Sequence, residues 1–430
     1  MPPRRGAVGL LGAGLLMEAI YLIVTLRLPW LRYATRLQSW SALLGGGALV
    51  GGLSLVALLV TAYLVGWWWV RNRGATRALV WRFVLLFAAT LFWLLPITSD
   101  LFHYLGQAHA LTDLEVNPLV DAPTEEGQDR LLRAFPTDYL SQPSAYGPAW
   151  IVLAAPGTLL GADLLIGTLY LKGLATASFL LCALLIERLV RELDPARATE
   201  ALYLFAWNPL MVWMAVGDGH NDVVMMAAVL LATWLLLRGQ WIVAFGALAT
   251  SVWIKYVSIA LLPLFALYTW QRLRAAGPRA ARSTLAASGL TAGLVSLLFL
   301  LPLDVFDAAP AIATRFLHPA NWQGDAGSTP AWLLAGGLAL YLVTYLFVVR
   351  HCMAGGGSCA QLGDALFVVM LLAFVFGAAR AQPWHLTWPA ALAGLSSRRW
   401  AWPAVVSLSG VLMAGQVWVE WGMPGLGGGS

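Results

Sequence analysis

The sequence predicts an all-α, polytopic integral membrane protein, and three observations predict it. Hydrophobic residues make up 60% of the 430 positions and charged residues 11%. A soluble domain carries roughly 25% charged residues, so most of this surface cannot face water. Apolar stretches recur along the whole chain at lengths near the ~20 residues that a membrane-spanning helix needs. The basic residues gather in alternate connections between those stretches, the pattern that orients membrane proteins. Only Lys172 and Lys255 are lysines; the other basic residues are arginines. The net charge of +5 is dispersed beside the spans and predicts no nucleic-acid partner.

In chain order the predicted spans are 7–26, 41–67, 79–97, 165–186, 200–216, 222–237, 240–254, 256–270, 284–302, 330–349, 362–379, 384–396 and 400–420. Glu18 interrupts the first, and no small-residue cleavage site follows it, so it reads as a span and not a signal peptide. The apolar stretch 148–162 contains Pro148 and Pro156 and reads as interfacial or re-entrant. About 11 to 14 crossings are expected. The chain divides into N-terminal transmembrane helices (1–97), an outer loop with interfacial helices (98–164), a transmembrane core (165–302), a second outer loop (303–329) and C-terminal transmembrane helices (330–426). The terminal residues 427–430 read as a cloning remnant.

With the N-terminus in the cytoplasm, 17 of the 24 arginines fall on the inner side. The segments 98–147 and 303–329 then lie outside, with the short corners at 217–221, at Lys255 and at 380–385. Five of the six histidines (His103, His109, His220, His318, His385) share that side. A transporter would gather its ionisable groups near the bilayer midplane. Here they collect at one face, which predicts a site at the outer membrane–water boundary.

A 50-residue loop without structure is implausible, and long loops are usually functional. Ser99 followed by Leu101, Phe102, Leu105 and Ala108 predicts an N-capped helix that places Asp100 in its first turn, with Asn117-Pro118 as its stop. A second short helix is expected near 125–134. Asp100 at that position is either a first-turn carboxylate stabilised by the helix dipole or a general base at the membrane surface. The corner Gly217-Asp218-Gly219-His220-Asn221-Asp222 places two carboxylates four residues apart, on one face if helix continues. It could cap helices, bind sugar hydroxyls or hold a divalent cation. Lys255 breaks the apolar run 241–270; it snorkels at a span end or pairs with a phosphate. Arg380, Gln382, Trp384 and His385 follow a later span. In the second outer loop Arg315, Asn321 and Trp322 offer a cation, a hydrogen-bonding group and an aromatic platform. Lys172, near the outer end of its span, and the interfacial tryptophans carry no functional expectation of their own. Cys182 reads as packing, and Cys352 and Cys359 lack metal-site spacing.

Taken in order, these residues resemble the GT-C glycosyltransferases, which take sugars from polyprenyl phosphates. Within them the chain resembles the bacterial polyprenol-phosphate-mannose-dependent α-mannosyltransferases. The stretches that carry the resemblance are Ser99-Asp100, Tyr104, Asn117-Pro118, Pro143-Ser144-Ala145-Tyr146-Gly147-Pro148, Asp194-Pro195-Ala196-Arg197-Ala198, Asn208-Pro209-Leu210, Gly219-His220-Asn221-Asp222, Lys255-Tyr256 and Gln382-Pro383-Trp384-His385. The chain departs from the family at His385, where relatives often have an aromatic, and in the extra acid Asp218.

The resemblance implies a GT-C-like fold in a bacterial cytoplasmic membrane, with the site on the outer face and Asp100 as catalytic base. It implies a polyprenyl-phosphate sugar donor, a glycolipid or glycan acceptor, and inversion at the anomeric carbon. Cations must lie where leaving-group charge develops; Lys255, Arg380, Arg315 and His385 are the expected donor-phosphate ligands. His103, Tyr104, Tyr146, Asp218, His220, Asn221, Asp222, Trp322 and Trp384 are the expected sugar and acceptor ligands. No cofactor is required, and a divalent metal at Asp218, His220 and Asp222 stays open. A polyisoprenoid flippase and a non-catalytic envelope-assembly subunit are the competing readings. The flippase predicts polar residues through the membrane depth and repeated halves, and neither is visible in the sequence.

Overall fold

The computed structural model describes residues 4–33, 48–74, 76–123, 142–159, 163–317, 331–354, 358–376 and 382–422. The described chain is helical, without strands, apart from one isolated bridge between Pro29 and Leu94. The N-terminal helices are α1 (Arg4–Arg27), α2 (Ala48–Arg73) and α3 (Arg77–Leu91). After them come α4 (Asp100–Thr112), α5 (Pro148–Ala154), α6 (Leu164–Leu193), α7 (Ala198–Ala206), α8 (Asp222–Leu237) and α9 (Trp241–Ile254). The chain continues through α10 (Leu262–Leu273), α11 (Pro278–Leu300), α12 (Val305–Leu317), α13 (Ala331–Ala354), α14 (Cys359–Phe376), α15 (Thr387–Ala393) and α16 (Ala401–Gly422).

Each predicted span contains helix within its described residues, but the helices differ in reach. Seven of the described helices are long and apolar enough to cross a bilayer singly. An eighth crossing arises if Pro209–Gly217 and Asp222–Leu237, bent by 109°, form one broken span. The other predicted spans fold as short helices. The 15 residues of α3, 14 of α9 and 12 of α10 reach about 18–22 Å at 1.5 Å per residue, short of a ~30 Å hydrocarbon core. The breaks have local causes. Asn208-Pro209 starts a new helix with Asn208 capping Leu210 N. Lys255 adopts an extended backbone between α9 and the 3-10 turn Tyr256–Leu261. The stretch 148–162 yields only α5 and the turn Pro156–Leu159, too short to cross, as its two prolines predicted.

The core that fixes this arrangement is aromatic. The Tyr63 and Tyr203 rings stack at 5.5 Å, and their hydroxyls reciprocally bond the Leu204 and Tyr63 carbonyls, joining α2 to α7. Gly66 permits that approach, because a Cβ there would meet the Tyr203 hydroxyl at 2.2 Å. Trp207 packs edge-on against Phe83 and Phe87 of α3.

Charge is sorted along the helices. In α6, Lys172 and Arg191 are separated by about 28 Å of helix, close to the hydrocarbon thickness. Glu187 is buried between Arg77, Arg191 and the Trp81 indole, and Arg238 at the end of α8 pairs with Glu192. Asp222 starts α8, Lys172 lies in the N-terminal third of α6, and Asp100 follows the end of α3 opposite to Arg77.

The second outer segment, expected as loop, contains a helix, α12. Its Ala308 and Ile312 pack with Leu119, Ile151, Leu300 and Leu303 as a small separate core, tied down by Asn117 donating to the Leu303 carbonyl. The predicted helix near 125–134, and Trp322, Asn321, His318, Arg380 and residues 427–430, lie outside the described residues.

Candidate active site

Helix α4 delivers Asp100. It starts where predicted, but Ser99 makes no side-chain cap, and the helix ends at Thr112, before Asn117-Pro118. It is buried on all sides from Asp100 to Ala110, so Asp100 is not a surface carboxylate: the residue is 9% exposed. Three donor groups crowd one of its oxygens. Tyr146 donates to Oδ2 at 3.2 Å, Tyr104 at 3.5 Å, and Nδ1 of His220 lies 3.3 Å away. The other oxygen, Oδ1, lies 3.9 Å from Nδ1 of His103. The contacts from Tyr146, Tyr104 and His220 therefore gather on Oδ2.

Burial pushes the Asp100 carboxyl up, but His220, by hydrogen bond and charge, with His103 and Lys255 behind it, outweighs burial and lowers it to about 2. Burial lowers His103 to about 4 against the pull of Asp100. The Tyr104 and Tyr146 phenols are pushed well up, by burial first, and stay protonated donors.

The corner 217–222 does not continue as helix. A π-turn, Trp213–Gly217, ends there, and Gly219 takes φ +75°. The two carboxylates therefore diverge, where a continuous helix would have placed them on one face. Asp218 turns back and accepts the Ile97 amide at 2.8 Å. Asp222 turns forward, accepting from Lys255 Nζ at 2.9 and 3.1 Å and from the Trp388 indole at 2.5 Å. No three His, Cys, Asp or Glu side chains converge as a metal ligand set among the described residues. Asn221 is fully buried, and neither of its amide atoms has a hydrogen-bond partner among the described residues. His220 also meets the Thr98 hydroxyl through Nε2 at 3.2 Å and stacks under Trp384 at 4.1 Å.

Lys255 is not a free cation: besides Asp222 it lies 5.8 Å over the Tyr146 ring and 5.5 Å over that of Trp388. His385 stacks on Trp388 at 4.5 Å, and burial lowers it to about 3, so it is a neutral imidazole. Arg315 lies on α12. The structure thus brings together Asp100, His103, Tyr104, Tyr146, His220, Asp222, Lys255, Trp384 and His385. It sets Asp218 behind them.

Three contributors were missed in the sequence. Trp388 looked like one more interfacial tryptophan; its spacing of four from Trp384 was the only signal. Thr98 precedes the motif it serves. Lys172, fully buried, donates to the Leu94 and Gly217 carbonyls and so ties the two segments that carry Asp100 and His220.

A family described as alpha-(1->6)-mannopyranosyltransferase, N-terminal domain, matches residues 7–271, which include Asp100, the 217–222 corner and Lys255. The chain belongs to this family of glycosyltransferases. It is 24% identical over 437 residues to alpha-(1->6)-mannopyranosyltransferase A of Mycobacterium tuberculosis, covering 93% of this chain and 80% of that one. It is 28% identical over 249 residues to alpha-(1->6)-mannopyranosyltransferase B of Corynebacterium glutamicum, covering 54% of this chain and 39% of that one. No solved structure matches. The His220 and Asp222 corner of this mannosyltransferase family member therefore falls within the matched part, whereas Trp384, His385 and Trp388 lie beyond it.

Proposed function

We propose that this protein transfers mannose from a polyprenyl-phosphate donor to a glycolipid or glycan acceptor at the outer face of a bacterial cytoplasmic membrane. The product is α-linked, and the (1→6) position is taken from the names of its relatives. The observation that carries this reading is Asp100, a buried carboxylate whose Oδ2 accepts from Tyr146 and Tyr104 and lies 3.3 Å from His220, with Oδ1 left, among the described residues, to an acceptor hydroxyl.

A general base must lie within hydrogen-bond reach of the acceptor hydroxyl. In the proposed step that hydroxyl attacks the anomeric carbon, its proton passes to Oδ1 of Asp100, and the bond to the lipid phosphate breaks with its electron pair on the phosphate. One displacement inverts the anomeric centre, so a β-linked donor gives an α product. Among the described residues Lys255 is the cation at this centre and serves the departing phosphate, with Arg315 and Arg380 as further candidates by their charge. His385, being neutral, serves as a hydrogen-bond donor and not as a charge. The orphaned amide of Asn221 suits sugar hydroxyls, and Trp384 and Trp322 suit a sugar face. No metal enters the proposed step, because Asp222 and Asp218 are engaged by Lys255, Trp388 and the Ile97 amide.

The outer location rests on arginines at the opposite ends of α3, α6 and α8 from Asp100, Lys172 and Asp222. The test is transfer from radiolabelled polyprenyl-phosphate mannose into a membrane lipid extract by purified protein, wild type against Asp100→Ala. Transfer that survives the substitution would remove Asp100 as the base, and saturable donor binding without any transfer would overturn the reading and favour a flippase.

A further inference from the structure

We propose that His220 is the positioning residue of the base: it holds Oδ2 of Asp100 through Nδ1, so that Oδ1 alone receives the acceptor proton. The inference rests on the proposed mannosyl transfer and concerns which atoms carry it out.

Four observations place His220 in that role. Its Nδ1 lies 3.3 Å from Oδ2, an ion-pair contact and its nearest approach to the carboxylate. Its Nε2 meets the Thr98 hydroxyl at 3.2 Å. A hydroxyl can donate to an imidazole nitrogen, which leaves the ring proton on Nδ1, the atom that faces the carboxylate. The ring has no freedom to serve another partner, since it is 1% exposed and stacked against Trp384 at 4.1 Å and 16°. Its backbone is fixed as well: Gly219 is left-handed, and the His220 amide bonds the Met214 carbonyl at 3.1 Å.

Behind the ring, the geometry gives Asp218 and Lys172 a supporting task. Oδ2 of Asp218 is buried without a hydrogen-bond partner among the described residues and lies 3.9 Å from Nε2 of His220. Oδ1 of the same residue binds the Ile97 amide, one residue before Thr98. Lys172 bonds Leu94 and Gly217, the carbonyls that end the two converging segments. Asp218 and Lys172 thus fix the two segments that converge on the ring. His220, which the sequence placed among sugar ligands, here faces the base instead. When the acceptor proton moves to Oδ1, the contact of His220 Nδ1 with Oδ2 is left in place. The base then changes charge without rotating.

The test compares His220→Ala, His220→Asn and His220→Gln in the purified full-length protein. An asparagine amide nitrogen falls where Nδ1 of histidine lies, and a glutamine amide nitrogen falls where Nε2 lies. A hydrogen bond to a charged group is worth enough to change a rate about 10- to 100-fold. The alanine variant is expected to lose about that much in kcat, with the KM for polyprenyl-phosphate mannose within about twofold. Asparagine is expected to recover most of the loss, and glutamine to behave like alanine. Equal activity of asparagine and glutamine variants, a loss confined to KM, or an alanine variant as active as wild type would each overturn the proposal. Asp100→Ala, assayed in parallel, separates the two levels. If it is inactive while His220→Ala is fully active, only the positioning role fails. If it retains full transfer, Asp100 is not the base and this proposal falls while mannosyl transfer stands; if wild type transfers nothing, the mannosyl-transfer reading fails and this proposal with it.

Discussion

Lys255 Nζ sits between the two carboxylate oxygens of Asp222, 2.9 Å from one and 3.1 Å from the other. The Asp222 side chain is 1% exposed and that of Lys255 17%. Removing one member of such a pair leaves a buried charge uncompensated, at about 3–5 kcal/mol, whereas removing both costs much less. Lys255→Met is therefore expected to lower the thermal midpoint in detergent strongly. Lys255→Met with Asp222→Asn should recover most of it. Transfer should be lost in both, because the cation beside the departing phosphate is gone. A double variant no more stable than the single one would show that the pair is not what holds this corner.

Much of the fold was legible because composition and periodicity act locally. A run of apolar residues favours helix wherever it sits, and each predicted span contains helix among its described residues, although 200–216 and 256–270 are broken. Asp100 was legible for the same reason, since Ser99 and the stripe from Leu101 to Ala108 place it in a first turn. What was not legible were relations across the chain. Asp218 and Asp222 look equivalent in sequence, yet the positive φ at Gly219 sends one to the Ile97 amide and the other to Lys255. Lys172 and Trp388 act through partners 45 to 166 residues away, and no local pattern marks them.

The buried histidines set the acid limit of stability. His103 is lowered to about 4 and His385 to about 3, both by burial first, from an ordinary value of 6.5. In the unfolded chain they take up protons near their ordinary value, whereas in the folded protein they do so only below 4. The folded state therefore loses stability as pH falls from about 6.5 towards 4. Asp100 acts lower down: its carboxyl is held at about 2, so its contribution is present above about 4 and is lost as pH falls towards 2. The thermal midpoint is expected to fall steadily between pH 6.5 and 4.5, and His103→Gln should flatten part of that slope. An unchanged slope in that variant would count against a neutral buried His103.

Chelation tests the metal-free step. With Asp222 engaged by Lys255 and Trp388, binding a divalent ion there would require breaking an ion pair and an indole hydrogen bond. Transfer is expected to be unchanged by EDTA and by added magnesium or manganese. Loss of transfer on chelation, restored by one of these ions, would place a metal in the proposed step.

Gly219 links backbone conformation to the base. At φ +75° an L-residue side chain is strained by about 1–2 kcal/mol, and a Cβ there would approach Leu101 Cδ1 to 2.8 Å. Leu101 follows Asp100 directly, so relief of that contact has to move either the His220 corner or the first turn of α4. Gly289, in α11, provides the comparison: it has open space around it and lies far along the chain from the site. Gly219→Ala is expected to lower the thermal midpoint and to reduce kcat more than the stability loss alone would, whereas Gly289→Ala should leave both near wild type. If Gly219→Ala lost stability while kcat per folded molecule stayed intact, the corner would tolerate displacement, and the close fit of His220 to Asp100 would not limit the rate.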